Sequence, residues 1–242
     1  VQKTVDLRQA AGLPLTGLTT YVALVEKLKL APGCGKKVLV LGGSSATGML
    51  ALQLCREFGC PEIACTSTSA ALCTRLGATR VIDYRTEHWW EALQGAGFDV
   101  VYDTIGGKES YDLCEPVLNA KGQFFTIVGD QPNTKLTIGA MMAGMCSYMC
   151  RGCCSGPGFT MLMQLPATAD HGLTFWLDLV ARGKAEVVLD PAGPFPFAAA
   201  SAARMLELQA AGHCKGKLVM DVDPLGTGVI NSGAVTITDD LL

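Results

Sequence analysis

Charged residues are scarce in this sequence, and a long apolar run is missing. Charged side chains make up 17% of the 242 residues and the net charge is −3, without the clusters of Lys and Arg that contacts to nucleic-acid phosphates require. The uncharged run over residues 136–150 is shorter than the roughly 20 apolar residues of a membrane-spanning helix. These absences exclude nucleic acid as the main partner and a transmembrane protein. The 49% of hydrophobic residues predicts a globular protein with a large core.

An initiating Met and a secretory signal are also missing. The chain begins at Val1, and its first residues do not show the basic segment, apolar segment and small-residue cleavage site of a signal peptide. We therefore expect a processed chain or a piece of a longer one. Eleven cysteines occur at irregular spacings, several of them inside apolar runs. This pattern is typical of buried thiols in a reducing compartment and not of the disulfide framework of a secreted protein.

Strand-like and helix-like segments alternate from residue 37 onwards, which is typical of a parallel sheet with crossover helices. Six predicted strands, rich in Val, Ile, Phe or Leu, occupy residues 37–41, 62–66, 80–83, 99–103, 123–128 and 159–165. Predicted helices occupy 18–30, the segment after residue 48, 69–76, 86–93, 173–181 and 197–211. The sequence thus predicts an α/β fold with a Rossmann-type doubly wound parallel sheet. Two further strands are predicted at 185–189 and 217–222.

The junction between the first strand of this sheet and its helix carries the strongest functional signal. A buried strand leads directly into small residues and then into a helix, an arrangement that lets backbone N–H groups approach a pyrophosphate. The usual G-x-G-x-x-G spacing is absent, because Ser45 and Ala46 stand where glycine is expected, and the alternative is a plain strand–helix junction. The candidate cofactor-binding residues of this turn are Gly42, Gly43, Ser44, Ser45, Ala46, Thr47 and Gly48.

The end of the second predicted strand lacks an acidic residue. An NAD site usually places Asp or Glu there, about 20 residues after the turn, to bind the ribose hydroxyls. The residues found are Thr66-Ser67-Thr68-Ser69. Because no carboxylate would repel a 2′-phosphate, the pattern favours NADPH over NADH, with Ser67 and Ser69 as candidate contacts.

Small and polar residues also follow the fourth and fifth predicted strands. Ligands of open α/β sheets collect at the carboxyl ends of the strands, so these residues are candidates for ribose and nicotinamide contacts. The alternative is that the glycines only form turns at the strand ends. The candidates are Asp103, Thr104, Gly106, Val128 and Gly129.

A segment rich in Met and Cys, residues 141–154, is the one place that raises the question of a metal. Cys146, Cys150, Cys153 and Cys154 are thiols of the kind that zinc prefers. Three of them recur every four residues, as on one helix face, and no His is near, so we predict no metal site but a soft apolar surface for a partner. The three His residues show no catalytic spacing, and the catalytic residues stay unknown.

Six motifs occur in a fixed order along the chain: AAGLPLTGLTTYVAL (10–24), GMLALQL (48–54), LGATRVIDYR (76–85), FDVVYDTIGG (98–107), GQFFTIVG (122–129) and GHCKGKLVMDV (212–222). With the turn at 42–48 they cover nearly the whole chain except its last twenty residues. In this order they resemble the quinone oxidoreductase-like family of zinc-independent medium-chain dehydrogenases/reductases. The reticulon-4-interacting and chloroplast-envelope homologues look most similar.

The resemblance implies an NADPH-dependent oxidoreductase that transfers hydride to a small hydrophobic quinone or enone and needs no zinc. It places Thr19 near the nicotinamide carboxamide and Tyr84 at the 2′-phosphate, while Ser69 stands where the family has Lys. Thr19 as a helix-start hydroxyl and Tyr84 as a packed ring are the alternatives. Relatives in mitochondria and chloroplasts favour an organelle, and a homodimer or protein partner is expected at residues 141–154.

The resemblance also implies the domain organisation. Residues 1–16 would be an entry segment from a GroES-like domain that this chain does not include, and 17–183 the NAD(P)-binding domain. Residues 184–222 would return to the GroES-like domain, and 223–242 would be a C-terminal extension. The rival to an enzyme is a non-catalytic protein that keeps the sheet as a scaffold in a larger assembly. An enoyl reductase segment of a synthase fits less well.

Overall fold

The computed structural model describes residues 3–130, 144, 148, 151, 156–162, 169–212, 214–222 and 234–237. The chain divides into two compact units, Val22–Leu165 and the combination of Val1–Tyr21 with Pro166–Leu242. The domain limits implied by the resemblance stay a prediction.

A six-stranded parallel sheet forms the centre of the Val22–Leu165 unit. Its strands are β2 (Val38–Leu41), β3 (Ile63–Thr66), β4 (Arg80–Ile82), β5 (Phe98–Asp103), β6 (Leu118–Thr126) and β7 (Gly158–Met161). They lie in the order β4-β3-β2-β5-β6-β7, which is the doubly wound order of dinucleotide-binding folds, with β2 as the first strand. The predicted fold class is confirmed.

The helices of this unit are short, except the one after the first sheet strand. They are a π-helix (Val22–Lys27), α2 (Ala46–Glu57), α3 (Ala70–Leu76), α4 (Trp89–Ala92), α5 (Lys108–Asp112) and a 3₁₀ turn (Glu115–Val117). All side chains of β2 and β3 are buried, as expected for central strands of a parallel sheet. The core around β2 and β5 includes Leu39, Leu41, Ile82, Trp89, Leu93, Phe98, Val101 and Phe124.

Two predicted boundaries in this unit were wrong. The strand predicted at 123–128 runs instead from Leu118 to Thr126. It stops there because the Thr126 hydroxyl oxygen accepts hydrogen bonds from the backbone N–H groups of Val128 and Gly129, which turns the chain out of the sheet. The helix predicted at 86–93 is the single turn Trp89–Ala92.

The helix predicted at 18–30, after Pro14 and Gly17, was wrong at its start, although residues 18–27 are helical. Helix α1 begins at Leu7 and ends at Tyr21, with Pro14 inside it. Packing explains why the small residues do not stop it. A Cβ on Gly12 would lie 2.5 Å from Val187, and one on Gly17 would lie 2.9 Å from Trp176, whose indole N–H donates to the Gly17 carbonyl at 2.7 Å. Tertiary contact therefore outweighs the low helix propensity of Gly and Pro here.

The other described elements of this second unit are short strands and two longer helices. Strand β1 (Lys3–Asp6) pairs antiparallel with β10 (Ala234–Ile237), and β8 (Phe195–Pro196) pairs parallel with β9 (Met220–Asp221). The helices are α6 (Ala169–Ala181) and α7 (Ala199–Ala210). No helix in the described part of the chain is both long and apolar enough to cross a membrane.

Two predicted strands of this unit were also wrong in extent. The strand predicted at 185–189 is reduced to one bridge between Leu189 and Lys217, and the one at 217–222 to Met220–Asp221. The Asp190 carboxylate accepts hydrogen bonds from the backbone N–H groups of Ala192 and Lys215, and these contacts bend the chain away from further pairing.

Candidate functional site

The strand register brings the predicted turn residues to one edge of the sheet. Leu41 pairs with Thr66 on one side and with Asp103 on the other, and Asp103 pairs with Thr126. The residues that follow these strands, at 42–48, 67–69, 104–106 and 127–129, therefore share the carboxyl edge. Thr19 belongs to the other compact unit, where its hydroxyl donates to the Leu15 carbonyl at 2.8 Å.

Gly48 sets the geometry of the turn between β2 and α2. A Cβ at Gly48 would lie 2.1 Å from the carbonyl oxygen of Gly42, so the first turn of α2 packs directly against the end of β2. Gly42 has φ +85°, a conformation that other residues rarely adopt. Gly43 lies against Cys65, whose sulfur would be 2.6 Å from an added Cβ. These three glycines serve the tight turn and the close packing that dinucleotide sites need.

Ser45 uses its hydroxyl inside the protein. It is the N-cap of α2, and its Oγ accepts the backbone N–H of Gly48 at 2.9 Å. The Oγ also lies 2.9 Å from the Thr104 hydroxyl, which itself donates to the Leu41 carbonyl at 2.7 Å. Because the single proton of Thr104 is used in that bond, Ser45 donates to Thr104. Both predicted contact residues thus hold the turn together with their hydroxyls.

Ser44 and Ala46 present the open hydrogen-bond donors of the turn. Neither of their backbone N–H groups has an acceptor among the residues that the structure describes. The Ser44 hydroxyl accepts a hydrogen bond from Ser67 at 2.9 Å, and its own proton has no acceptor within the same residues. Three donors without an acceptor among the described residues therefore lie at the N-terminus of the 12-residue helix α2, where helices bind phosphates. Thr47 lies in the first turn of that helix.

Asp103 organises the loops after β5 and β6 with its carboxylate. Its side chain is 1% exposed. One oxygen accepts the backbone N–H groups of Ile105 and Gly106 at 3.0 Å each, and the other accepts the Thr126 hydroxyl at 2.9 Å. The loops also meet where the Gly107 N–H donates to the Gly129 carbonyl at 2.8 Å. Asp103 therefore positions Gly106, Val128 and Gly129, and its predicted contact with a cofactor stays a prediction.

Burial raises the pKa of Asp103 above its ordinary value, although the three hydrogen bonds oppose the shift. The native state then holds this proton to a higher pH than the unfolded chain does. From about pH 4, the ordinary aspartate pKa, up to the raised pKa, this group lowers the free energy of unfolding as the pH rises. Above the raised pKa the effect is constant.

We expect Asp103→Asn to remove this pH dependence. Urea unfolding at a series of pH values should show wild type losing stability relative to the variant as the pH rises from 4, with Asp112→Asn as a control for removing an exposed carboxylate. A relative gain in wild-type stability over the same range would contradict the raised pKa.

The residues that follow β3, at 67–69, carry hydroxyls and no carboxylate. Ser67 is buried, and its oxygen accepts the Ser69 N–H at 2.9 Å. Tyr84, in the loop after β4, is 60% exposed. The neighbouring Arg85 donates two hydrogen bonds to Asp83, at 3.0 and 2.5 Å, and this ion pair lowers the pKa of Asp83 to about 2. The cation nearest in sequence to Tyr84 is thus already paired.

Sequence reasoning missed two residue pairs that support this edge. Thr126 links Asp103 to the turn at 128–129. Arg151 donates to both carboxylate oxygens of Asp130 at 2.8 and 2.9 Å and lies 4.5 Å from the ring centre of Tyr111. The first pair had a signal in the sequence, because a Thr at the end of a predicted strand can hydrogen-bond the turn that follows. The second joins residues 21 apart, and no local pattern indicates it.

The Met- and Cys-rich segment falls mostly outside the described residues, and so do all four of its cysteines. Among the described residues, no group of three or more His, Cys, Asp and Glu is arranged to hold a metal ion. The absence of zinc from the site stays a prediction.

A doubly wound parallel sheet with a glycine turn at its first crossover is the dinucleotide-binding class of α/β fold. Residues 76–220 match the family described as zinc-binding dehydrogenase, which is more than half of the chain. The chain belongs to this family. The resemblance to its quinone oxidoreductase-like members is confirmed.

Relatives with known names cover most of this chain. It is 31% identical over 222 residues to the chloroplastic NADPH-dependent alkenal/one oxidoreductase of Arabidopsis thaliana, covering 90% of this chain and 48% of that protein. It is 29% identical over 224 residues to the chloroplast envelope quinone oxidoreductase homolog of the same plant, covering 90% and 63%. The chain therefore spans about half to two thirds of the length of these relatives.

The fold agrees with a solved structure. The Escherichia coli quinone oxidoreductase, determined in complex with NADPH, superimposes with a TM-score of 0.68 at 21% identity, covering 89% of this chain and 65% of that one. At this identity the likeness establishes the Rossmann-type fold.

Proposed function

We propose that this chain is the cofactor-binding part of an NADPH-dependent quinone or enone oxidoreductase. The observation that carries the proposal is the set of open donors at the β2–α2 turn, namely the Ser44 and Ala46 amides and the Ser44 hydroxyl. The names of the relatives support the reaction type. The absence of a carboxylate at the end of β3 supports NADPH over NADH.

In this proposal the protein supplies binding and orientation. NADPH, when bound, supplies a hydride for an electrophilic carbon or a quinone. The Ser44 and Ala46 amides, aided by the helix dipole of α2, hold the diphosphate. Ser69 and Tyr84 contact the 2′-phosphate, and Thr19 contacts the nicotinamide carboxamide as the resemblance implies. Asp103 and Thr126 fix the loops on which Gly106, Val128 and Gly129 meet the ribose and nicotinamide.

The remaining features of the proposal concern the wider protein. A small hydrophobic quinone or enone is the substrate class, and turnover needs no zinc. Residues 141–154 form the surface for a second copy or another protein. The chloroplast names of the two Arabidopsis relatives favour an organelle as the location.

Calorimetric titration with NADPH and, separately, with NADH tests the cofactor assignment. We expect NADPH to bind more tightly than NADH, and Ser44→Ala to weaken NADPH about tenfold, since a hydrogen bond to a charged group contributes about 1.5 kcal/mol or more. Thr74→Ala, an exposed threonine on α3, serves as the matched control. Absence of binding at millimolar NADPH would contradict the proposal.

A scaffold protein without catalysis is the second candidate. Ser45 occupies a glycine position of the turn and is tied to Thr104, and Arg85 is paired with Asp83. Both features remove contacts that a cofactor would use. A chain that folds, binds neither nucleotide and forms a stable assembly with itself or another protein would favour this reading.

A further inference from the structure

Three cysteine thiols meet beside the amino ends of β2 and β3, the edge away from the candidate cofactor site. Cys34 lies in the loop before β2, Cys55 in helix α2 and Cys60 in the loop before β3. The thiols of Cys55 and Cys34 are both near enough to Cys60 to influence its pKa. These three residues are called the thiol cluster.

The backbone holds the two loops of the thiol cluster together. The N–H of Gly33 donates to the carbonyl of Phe58 at 2.9 Å, and the N–H of Cys60 donates to the carbonyl of Cys55 at 3.0 Å. Gly33 and Gly35 flank Cys34 with positive φ, and a Cβ on either would meet nothing within 4 Å. The loop that carries Cys34 is thus close to Cys60 and open on its outer side.

Exposure distinguishes the members of the thiol cluster. Cys34 is half-buried, whereas Cys60 is 8% exposed and Cys55 is fully buried. A small oxidant therefore reaches the Cys34–Cys60 side of the cluster before it reaches Cys55. Redox-sensitive cysteines are often next to a second, resolving thiol, and Cys34 and Cys60 are the pair on the accessible side of the cluster.

The surroundings favour a thiolate on Cys60. The thiol of Cys55, then the thiol of Cys34 and the charge of Lys36, lower the pKa of Cys60, while its burial and the charge of Asp99 oppose the shift. The pKa of Cys55 is raised well above its ordinary value, mainly by its hydrogen bond to Cys60. Since the thiolate is the nucleophile, the lowered pKa makes Cys60 the more reactive member of the cluster.

We propose that Cys60 and Cys34 form a reversible disulfide when the protein meets a hydroperoxide. The Cys60 thiolate attacks one oxygen of the hydroperoxide, and the O–O bond breaks. The sulfur is oxidised by two electrons to a sulfenic acid, and the other oxygen leaves and takes up a proton to give an alcohol or water. The Cys34 sulfur then attacks the sulfenic sulfur, the S–S bond forms, and the thiol proton leaves with the hydroxyl group as water. A dithiol reductant supplies two electrons and two protons and restores both thiols.

Two other cysteine sites serve as internal comparisons. Cys65 and Cys73 are also in contact, and their hydrogen bond lowers the pKa of Cys73 to about 7, but both are 0% exposed. Cys214 is half-buried like Cys34, yet burial raises its pKa. Cys73 thus has a lowered pKa but is fully buried, and Cys214 is accessible but has a raised pKa. The thiol cluster has both a lowered pKa, at Cys60, and an accessible thiol, at Cys34.

Peptide mapping of the intact chain after brief treatment with hydrogen peroxide tests the proposal. Free thiols are blocked with N-ethylmaleimide before trypsin digestion, which places Cys34 on peptide 30–36, Cys55 on 38–56 and Cys60 on 57–75. We expect a cross-linked pair of 30–36 with 57–75 that dithiothreitol reverses. The pair should be lost in Cys34→Ser and in Cys60→Ser and unchanged in the control Cys214→Ser.

The Cys34→Ser variant gives a second readout that does not need the cross-link. Without its resolving partner, the Cys60 sulfenic acid should accumulate and react with dimedone about tenfold more than Cys214 does. Four results would each overturn the proposal. Two concern the disulfide itself: a link between peptides 38–56 and 57–75, or a link within 57–75. The others are dimedone labelling of Cys34 in Cys60→Ser as strong as that of Cys60 in Cys34→Ser, and oxidation of Cys214 without any cross-link.

Discussion

Asp103→Ala is expected to lower the free energy of unfolding by about 4 kcal/mol, because it leaves three hydrogen-bond donors without an acceptor at a buried position. These donors are the backbone N–H groups of Ile105 and Gly106 and the Thr126 hydroxyl. Urea unfolding measures the loss. We also expect weaker NADPH binding, since the loops after β5 and β6 lose their common anchor.

Asp112→Ala is the matched control, because its carboxylate is exposed and pairs with Lys108 on the same helix. Its effect should stay within about 0.5 kcal/mol. Thr126→Val removes the other half of the Asp103 contact, so the double variant should lose less than the sum of the two single losses, by about 1 kcal/mol or more. Additive losses, or an Asp103→Ala loss no larger than that of Asp112→Ala, would contradict the anchoring role.

Gly48→Ala is expected to disturb both folding and cofactor binding. The new Cβ would lie 2.1 Å from the Gly42 carbonyl oxygen, so the first turn of α2 must move away from β2. Overpacking of this kind costs about 3 kcal/mol of unfolding free energy. The movement also displaces the Ser44 and Ala46 amides, and we expect the NADPH affinity to fall by at least about tenfold, measured by calorimetry.

The matched control for Gly48→Ala is Gly156→Ala in the same unit. Gly156 is exposed and has no positive φ, and an added Cβ would meet its nearest neighbour, the Tyr111 hydroxyl, at an ordinary 3.5 Å. The control should bind NADPH like wild type. If Gly48→Ala retained wild-type stability and affinity, the close packing of α2 on β2 would not determine the cofactor site.

The sheet could be predicted because each buried parallel strand has a local sequence signal, a short apolar run. β2, β3 and β5 are short apolar runs that end at glycine or hydroxyl residues, and their carboxyl ends share an edge in any doubly wound fold. The order of the six motifs along the chain also indicated the family. The candidate turn was therefore located from the sequence, and the structure supplied which of its donors are open.

The contradicted expectations depended on partners far away in the sequence. Helix α1 begins at Leu7 because Gly12 and Gly17 pack on residues more than 150 positions later. Strand β10 lies in the segment predicted to be a C-terminal extension, and its pairing with β1 at the opposite end of the chain has no local signal in the sequence. The hydrogen bond between Thr126 and Asp103 could not be predicted either, because it joins side chains on two different strands.

Amide chemical shifts during an NADPH titration test the central claim most directly, because they report on the individual backbone N–H groups of a ¹⁵N-labelled chain. If the β2–α2 turn holds the diphosphate, the amides of Ser44 and Ala46 should shift most, saturate with NADPH and move little in Gly48→Ala. The account would be contradicted if other amides showed saturable shifts while the Ser44 and Ala46 amide signals did not shift. It would also be contradicted if no amide signal shifted at millimolar NADPH.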